Sequence, residues 1–548
     1  MEAGARFFRF LVAVPAMDEP NLPRMLSSLN DQTCLPEAVF VCINQPAAYY
    51  GDGSSEHARV CEVNEAAFRQ LERMVAGNRF SFPVVLIDRY SPGRAWDAKH
   101  YGVGWARKTA MDAALEYARS RPWPLERVLL ACMDADTLYP EDYLECQAAL
   151  FAACPEALAL SNPYYHFLEE GLAGAKLLGW KAGTVVAGNV PSGMFPQETV
   201  LEGISSSGPA HAGLSDSVPD CSLDVNGAGS DSEKRACAML HYEVYMRSYA
   251  LNLMLVGHPY ALTAVGSSMS CTLEAYRKIG GISPFKSGED FYFLQKMLKT
   301  GAVLRHSPAL SHPSPRLSTR VFFGTGPALN KGVEGQWASY PIYPMSLFGR
   351  MQDAYEALPA LYDFLCGPEV PDGLCRPLAR KFDFWGAAFG EGWWKPIRAH
   401  CGGRKAQFVR ACMEKFDALR SLQFLKASYV QDNRQDWLNL RELCHELWGR
   451  LGLDRVSVEV FEADDRQLTG WSACRQRRLA ALAGIDAGEA GMQGEGQDTG
   501  KAGGACIVAP GGWSSLQDLS LEDWESIRDF LFLCERKMQK ERPLLRFW

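Results

Sequence analysis

The sequence predicts an α/β fold with a mainly parallel sheet. Two observations predict it. Short apolar runs recur through the first 140 residues: "FFRFLVAVPA", "AVFVCINQ", "FPVVLID" and "RVLLACMDAD". Such runs suit strands buried on both faces. Segments of helical spacing separate the runs, and strands alternating with helices argue for a mainly parallel sheet with helices packed on it. At 548 residues the chain also exceeds one ordinary core, so more than one domain is expected.

The elements follow in order. The first run ends at Pro15, and Leu22, Met25, Leu26 and Leu29 then recur at helical spacing. "AVFVCINQ" is the second strand, residues 55–76 read as a helix, and "FPVVLID" is the third strand. "GVGWARKTAMDAALEYARS" is a glycine turn that opens a helix, and the fourth strand carries Asp134 and Asp136 at its end. Ligands of open parallel sheets gather at the carboxyl ends of the strands, which is where these aspartates lie. Residues 181–233 are rich in Gly, Ser, Asp and Pro and read as a flexible insertion. "RACAMLHYEVYMRSYALNLMLVG" restores a helix. The expected organisation is a first domain over 1–335, a helical region over 336–483, a Gly- and Ala-rich linker over 484–511, and a C-terminal segment over 512–548 built on a last helix.

Composition excludes several function classes. Hydrophobic residues make up 47% of the chain, with 14 Trp, 20 Tyr and 27 Phe, which is enough for a large core and rules out global disorder. A net charge of −8 argues against a nucleic-acid partner, which needs a basic surface. The 17 cysteines are odd in number and form no CxxC pair. That pattern fits free thiols in a reducing compartment better than disulfides or a zinc site. The N-terminal apolar run soon meets Asp18 and Glu19, unlike a signal peptide. The longest apolar stretch elsewhere is broken by Asn252, His258 and Pro259. A soluble, cytoplasmic protein without a transmembrane segment is expected, with peripheral membrane contact left open.

The chemistry turns on "ACMDADTLYPEDY". Where the strand frays into a loop, Asp134 and Asp136 can both turn toward one cation, and their oxygens suit Mg²⁺ or Mn²⁺. The motif alone reads as a polar strand exit before it reads as a metal site. Its company points further. "LVAVPAMDEPNLPRMLSSLNDQ", "GVGWARKTAMDAALEYA", the DAD strand, "VGSSMSCTLEAYRKIGGISPF" and "SGEDFYFLQKMLKTG" occur in that order. Together they resemble the family 2 glycosyltransferases of the GT-A fold, over about residues 8–325. The likeness lies in the combination. The chain departs from the usual pattern at "CINQP", where an acidic stretch is common, and in the inserted look of 46–80 and 181–233.

The resemblance implies a role for each matching position. Pro15, Ala16, Glu19 and Asn44 would hold the nucleoside. Arg107 would lie near the nucleotide, with Lys99 a second candidate for that job. Asp136 would bind a Mg²⁺ or Mn²⁺ bridging the donor's diphosphate, and Asp134 would face the ribose or the ion. Gly266 and Ser267 would wall the donor sugar. Asp290 would be the base that deprotonates the acceptor hydroxyl, and Glu289 would bind the acceptor or orient the base. His312, ahead of His306, would be a further metal ligand. Arg316 and Arg320, four apart before "FGTG", would clamp the diphosphate. Plain alternatives exist for these residues: a surface helix arginine, an acidic first helical turn and a solvated basic turn. Trp385, Trp393 and Trp394 read as helix core before they read as sugar platforms.

The expected activity is transfer of a sugar from a nucleotide diphosphate sugar to a hydroxyl acceptor by metal-assisted, inverting displacement. Two alternatives stand beside it. One is a retaining GT-A enzyme making a small glycoside such as a glycosylglycerate, and the other is a non-catalytic nucleotide-sugar-binding protein of the same fold.

Overall fold

A computed structural model describes residues 8–97, 99–166, 168, 228–320, 324–366, 373–451, 479 and 513–547. The expected linker and most of the expected insertion lie outside these residues.

The predicted run becomes β1 (Arg9–Ala16), followed by helix α1 (Leu22–Ser28), β2 (Ala38–Asn44), α2 (Ser55–Ala76), β3 (Val84–Arg89), α3 (Val103–Arg119) and β4 (Val128–Cys132). Next come a two-residue β5 (Thr137–Leu138), α4 (Tyr143–Ala153), β6 (Ala157–Ser161) and the long α5 (Ala228–Leu255). β7 (Met269–Thr272), α6 (Leu273–Lys278), α7 (Glu289–Thr300), β8 (Ala302–Leu304) and a two-residue β9 (His312–Pro313) complete the first region. Among the described residues, helices then dominate up to Leu451. They are α8 (Thr325–Val333), α9 (Met345–Leu365), α10 (Arg376–Lys381), α11 (Asp383–Phe389), α12 (Lys395–Cys401), α13 (Lys405–Lys415), α14 (Ala418–Ser428) and α15 (Asn433–Leu451). The chain ends in α16 (Leu521–Glu541) and β10 (Leu544–Leu545).

The central sheet has eight strands in the order β10-β8-β6-β7-β4-β1-β2-β3. β1 to β4 pair in parallel, and β6 and β8 run the same way, while β7 and β10 run against them. The fold is therefore α/β, mainly parallel, flanked by helices and followed by a helical region, consistent with a GT-A-like architecture. β1 shows why its sequence lacks alternation. Phe10, Val12 and Val14 pack with residues of α1, α2 and α4, while Leu11 and Ala13 pack with α3, α6 and α7. Side chains on a strand alternate between faces, and here both faces are covered.

Three differences from the sequence reading stand out. Residues 228–233, expected in the insertion, are the first turns of α5. The C-terminal helix, for which the sequence named no packing partner, packs as α16 against α5 and α15. β10 pairs antiparallel with β8 and so adds a strand to the sheet that carries the site. Buried ion pairs tie the same elements. Arg247 of α5 donates to Glu535 of α16 at 2.6 Å, and Arg528 of α16 donates to Glu243 of α5 at 3.3 Å. Trp385, Trp393 and Trp394 lie in the core of the helical region, as the sequence suggests. No helix of the described residues is long and apolar enough to cross a membrane, and the described cysteines are free thiols.

Candidate active site

Registers bring the expected segments together. Ala13 pairs with Cys132, and Ala16 pairs with Ile43. The ends of β1, β2 and β4 therefore form one edge, where Glu19, Asn44, Asp134 and Asp136 sit.

Two glycines explain how Arg107 reaches this edge. Gly102 precedes α3 with φ +101°, a conformation that side chains rarely adopt. A Cβ on Gly104 would lie 1.9 Å from the carbonyl oxygen of Phe285, so only glycine permits this approach of α3 to the loop before α7. The close contact delivers Arg107, buried to 1% exposure, to Glu289 in the first turn of α7. Arg107 donates from Nε to Glu289 Oε1, and from Nη1 to Asp134 Oδ1 and to the carbonyl of Gly266, each at 3.0 Å. Asp290 lies beside it. The backbone N–H of Phe291 donates to Asp290 Oδ1 at 2.7 Å. A Cβ on Gly266 would sit 2.4 Å from Arg107 Nη2 and 3.4 Å from Asp290 Oδ2. Arg107, Asp290 and the Gly266 loop thus close on one point. Burial, and next the Glu289 carboxylate, push the Asp290 carboxyl up to about 7, while Arg107 pulls it down. Asp134 is likewise raised, by burial first and against Arg107.

A second network holds the rest of the edge. Glu19 accepts from both Arg316 and Arg320 and is raised above the usual carboxylate range by burial. Asp136 Oδ2 lies 3.0 Å from Arg316 Nη2 and 3.8 Å from Arg320 Nη2. Arg320 also donates to the Met17 carbonyl. Asp134 and Asp136 are both partly exposed while Met133 and Ala135 are buried in the core. The strand has ended at Cys132, and the Thr137 N–H donates to the Asp134 carbonyl at 3.2 Å, so a turn carries the two aspartates. One arginine set faces each aspartate.

The other expected residues fall as follows. Pro15 and Ala16 end β1, and the carbonyl of Ala16 accepts from Asn44 Nδ2 at 2.9 Å. Ser267 is buried, and its carbonyl accepts from Tyr139 Oη at 3.0 Å. Lys99 is exposed on the loop before Gly102. His306 faces α16, near Arg536 and Lys540, rather than this edge. His312 belongs to β9, which pairs with β5 just after the aspartates, but its Nδ1 lies 3.1 Å from the carbonyl of Tyr165 and its ring packs edge-on to the Tyr165 ring. Burial lowers its imidazole to about 4.

These positions bear on a divalent ion. Among the described residues no group of three His, Cys, Asp or Glu side chains is arranged to hold a metal. Asp134 is engaged by Arg107 and Asp136 by Arg316. A divalent ion at either aspartate would have to share that carboxylate with a guanidinium. Both aspartates expected to hold the ion are thus paired with arginines in this structure.

Two contributors escaped the sequence reading. Asn64 of α2 accepts the Asp18 backbone N–H at 2.8 Å and donates to Gln45 Oε1 at 2.8 Å and the Asn44 carbonyl at 3.2 Å. It thereby fixes Asp18, whose φ of +57° is unusual for a non-glycine residue, next to Glu19. Its signal was legible, because Val60, Asn64, Ala67 and Leu71 share one buried helix face with a polar residue among them. Tyr139 also escaped. Its hydroxyl accepts the Asp134 N–H at 3.0 Å and donates to Ser267, and nothing in the pattern marks it.

No family model matches the chain, and no curated protein matches it. Among solved structures, S. aureus TarS residues 1–349 in complex with UDP-GlcNAc aligns at 12% identity and a TM-score of 0.29, covering 76% of this chain and 90% of that chain. A second S. aureus TarS structure aligns at 12% identity and a TM-score of 0.29, covering 75% of this chain and 55% of that chain. Similarity this slight carries no functional weight.

Proposed function

We propose that the chain is a glycosyltransferase that moves a sugar from a nucleoside diphosphate sugar to a hydroxyl acceptor. The observation that carries this reading is the meeting of Asp290, Arg107 and Asp134 around Gly266, at the carboxyl edge of a mainly parallel sheet. A carboxyl raised well above its usual range, to about 7, holds its proton more tightly than a free aspartate and suits a general base working near neutral pH. Oδ2 of Asp290 takes the proton of the acceptor hydroxyl. The freed oxygen bonds to the anomeric carbon, the bond from that carbon to the diphosphate oxygen breaks, and its electron pair leaves with the nucleoside diphosphate. A single displacement of this kind inverts the anomeric centre. Glu289 does not act on the substrate directly; it holds Arg107, which fixes Asp134 and the Gly266 loop. Asn44, Asn64 and the end of β1 form the nucleoside wall.

The test is incubation of the full chain with a panel of nucleoside diphosphate sugars and hydroxyl acceptors. The expected result is release of nucleoside diphosphate and a glycoside of inverted configuration by NMR. A protein that binds none of the donors would refute the reading, and a retained configuration would refute the single displacement.

A further inference from the structure

The leaving diphosphate gathers negative charge, and something cationic must face it. Three observations bear on what that is. Arg316 and Arg320 reach the ends of β1 and β4 together, and both are held there by Glu19. Asp136, the carboxylate expected to hold an ion, is met by Arg316 Nη2 at 3.0 Å and Arg320 Nη2 at 3.8 Å. His312, the imidazole expected to join the aspartates, is turned away from them. β5 and β9 pair Thr137 with Pro313 and Leu138 with His312, and the His312 ring meets the Tyr165 carbonyl. One residue further along these strands stand Asp136 and Ser314, and then comes Arg316.

We propose that Arg316 and Arg320 supply the positive charge that binds the donor's diphosphate, and that binding and transfer need no divalent ion. The inference rests on the glycosyltransferase reading above and deepens it. Guanidinium groups are permanently charged and present paired donors that match phosphate oxygens. Glu19 and Asp136 are then positioning residues that hold the two arginines extended over the edge before the donor arrives. Ser318 assists, because its hydroxyl accepts from Arg320 Nε at 3.0 Å.

The test is titration of the full chain with each common nucleoside diphosphate by calorimetry, in excess EDTA and again with Mn²⁺. The proposal expects one diphosphate to bind in EDTA with an affinity within about threefold of that in Mn²⁺. It expects the double variant Arg316→Gln, Arg320→Gln to bind that diphosphate at least about tenfold more weakly, which corresponds to about 1.4 kcal/mol. The lysine pair Arg316→Lys, Arg320→Lys should recover part of the loss, with circular dichroism confirming that all variants fold. Binding that needs Mn²⁺, or binding in EDTA that survives the glutamine pair unchanged, overturns the inference and leaves the glycosyltransferase reading standing. Absence of binding in both conditions overturns that reading, and the inference falls with it.

Discussion

Replacing Arg107 by methionine should cost stability in a pH-dependent way. The guanidinium makes three bonds of 3.0 Å, to Glu289, Asp134 and the Gly266 carbonyl. Methionine keeps much of the aliphatic stem and removes all three. Glu289 is only 3% exposed, so its carboxylate would lose its cationic partner while buried. Deleting one member of a buried pair costs about 3–5 kcal/mol. That is a large part of the roughly 5–15 kcal/mol that holds a typical protein folded. Burial raises the carboxyls of Asp290 and Asp134, and Arg107 opposes that rise in both. Without it both rise further. A carboxyl raised above its unfolded value contributes stability that is complete below that unfolded value and is lost as pH climbs through the folded one. For Asp290 this window runs from the usual 3.8 to about 7 in the wild type and extends upward in the variant. The deficit should therefore be larger at pH 8 than at pH 5. Urea unfolding followed by circular dichroism at both pH values, with the slope checked for constancy, measures it. A deficit below about 1 kcal/mol, or one equal at both pH values, would refute the account of Arg107 as the joint between the aspartates and α7.

Other perturbations follow from the same geometry. Gly266→Ala puts a methyl 2.4 Å from Arg107 Nη2, so the guanidinium must shift. Donor turnover should fall about a hundredfold, and an unchanged rate would show slack in the site. Asn64→Ala removes three hydrogen bonds around Asp18, Asn44 and Gln45. It should cost about 1–3 kcal/mol and weaken nucleoside diphosphate binding; intact binding would remove α2 from the nucleoside wall. Trp385→Ala opens the core of the helical region and should cost about 3–5 kcal/mol while leaving nucleotide affinity unchanged. A selective loss of affinity without destabilisation would point instead to a sugar platform.

Much of the fold was legible because its strands are buried on both faces. Continuous apolar runs mark such strands, and β1 to β4 fall where the runs do. The glycines of "GVGWARK" were legible as a turn, but not the carbonyl of Phe285 that makes Gly104 obligatory. The expected site residues of β1, β2, β4, α3 and α7 do meet at one edge. What the sequence hid was set by tertiary contacts. The two-residue strands β5, β9 and β10 are too short to carry a period, yet β10 closes an edge of the sheet and β9 decides where His312 points. The ring of His312 is oriented by a carbonyl 147 residues away in the chain. The Gly- and Ser-rich start of α5 looked like loop because its composition carries no apolar period, yet residues 228–233 are helical. Asn64 lay in a segment that read as an insertion, although its place on an apolar helix face was visible.

The most direct test of Asp290 as the base is the pH dependence of nucleoside diphosphate release, measured between pH 5 and 9 for the wild type and for Asp290→Asn. Wild-type turnover should rise with pH along a single titration centred near 7, as the carboxyl loses its proton, and the variant should lose that rise together with most of the rate. A flat wild-type profile, or a variant that turns over at the wild-type rate, would contradict the account.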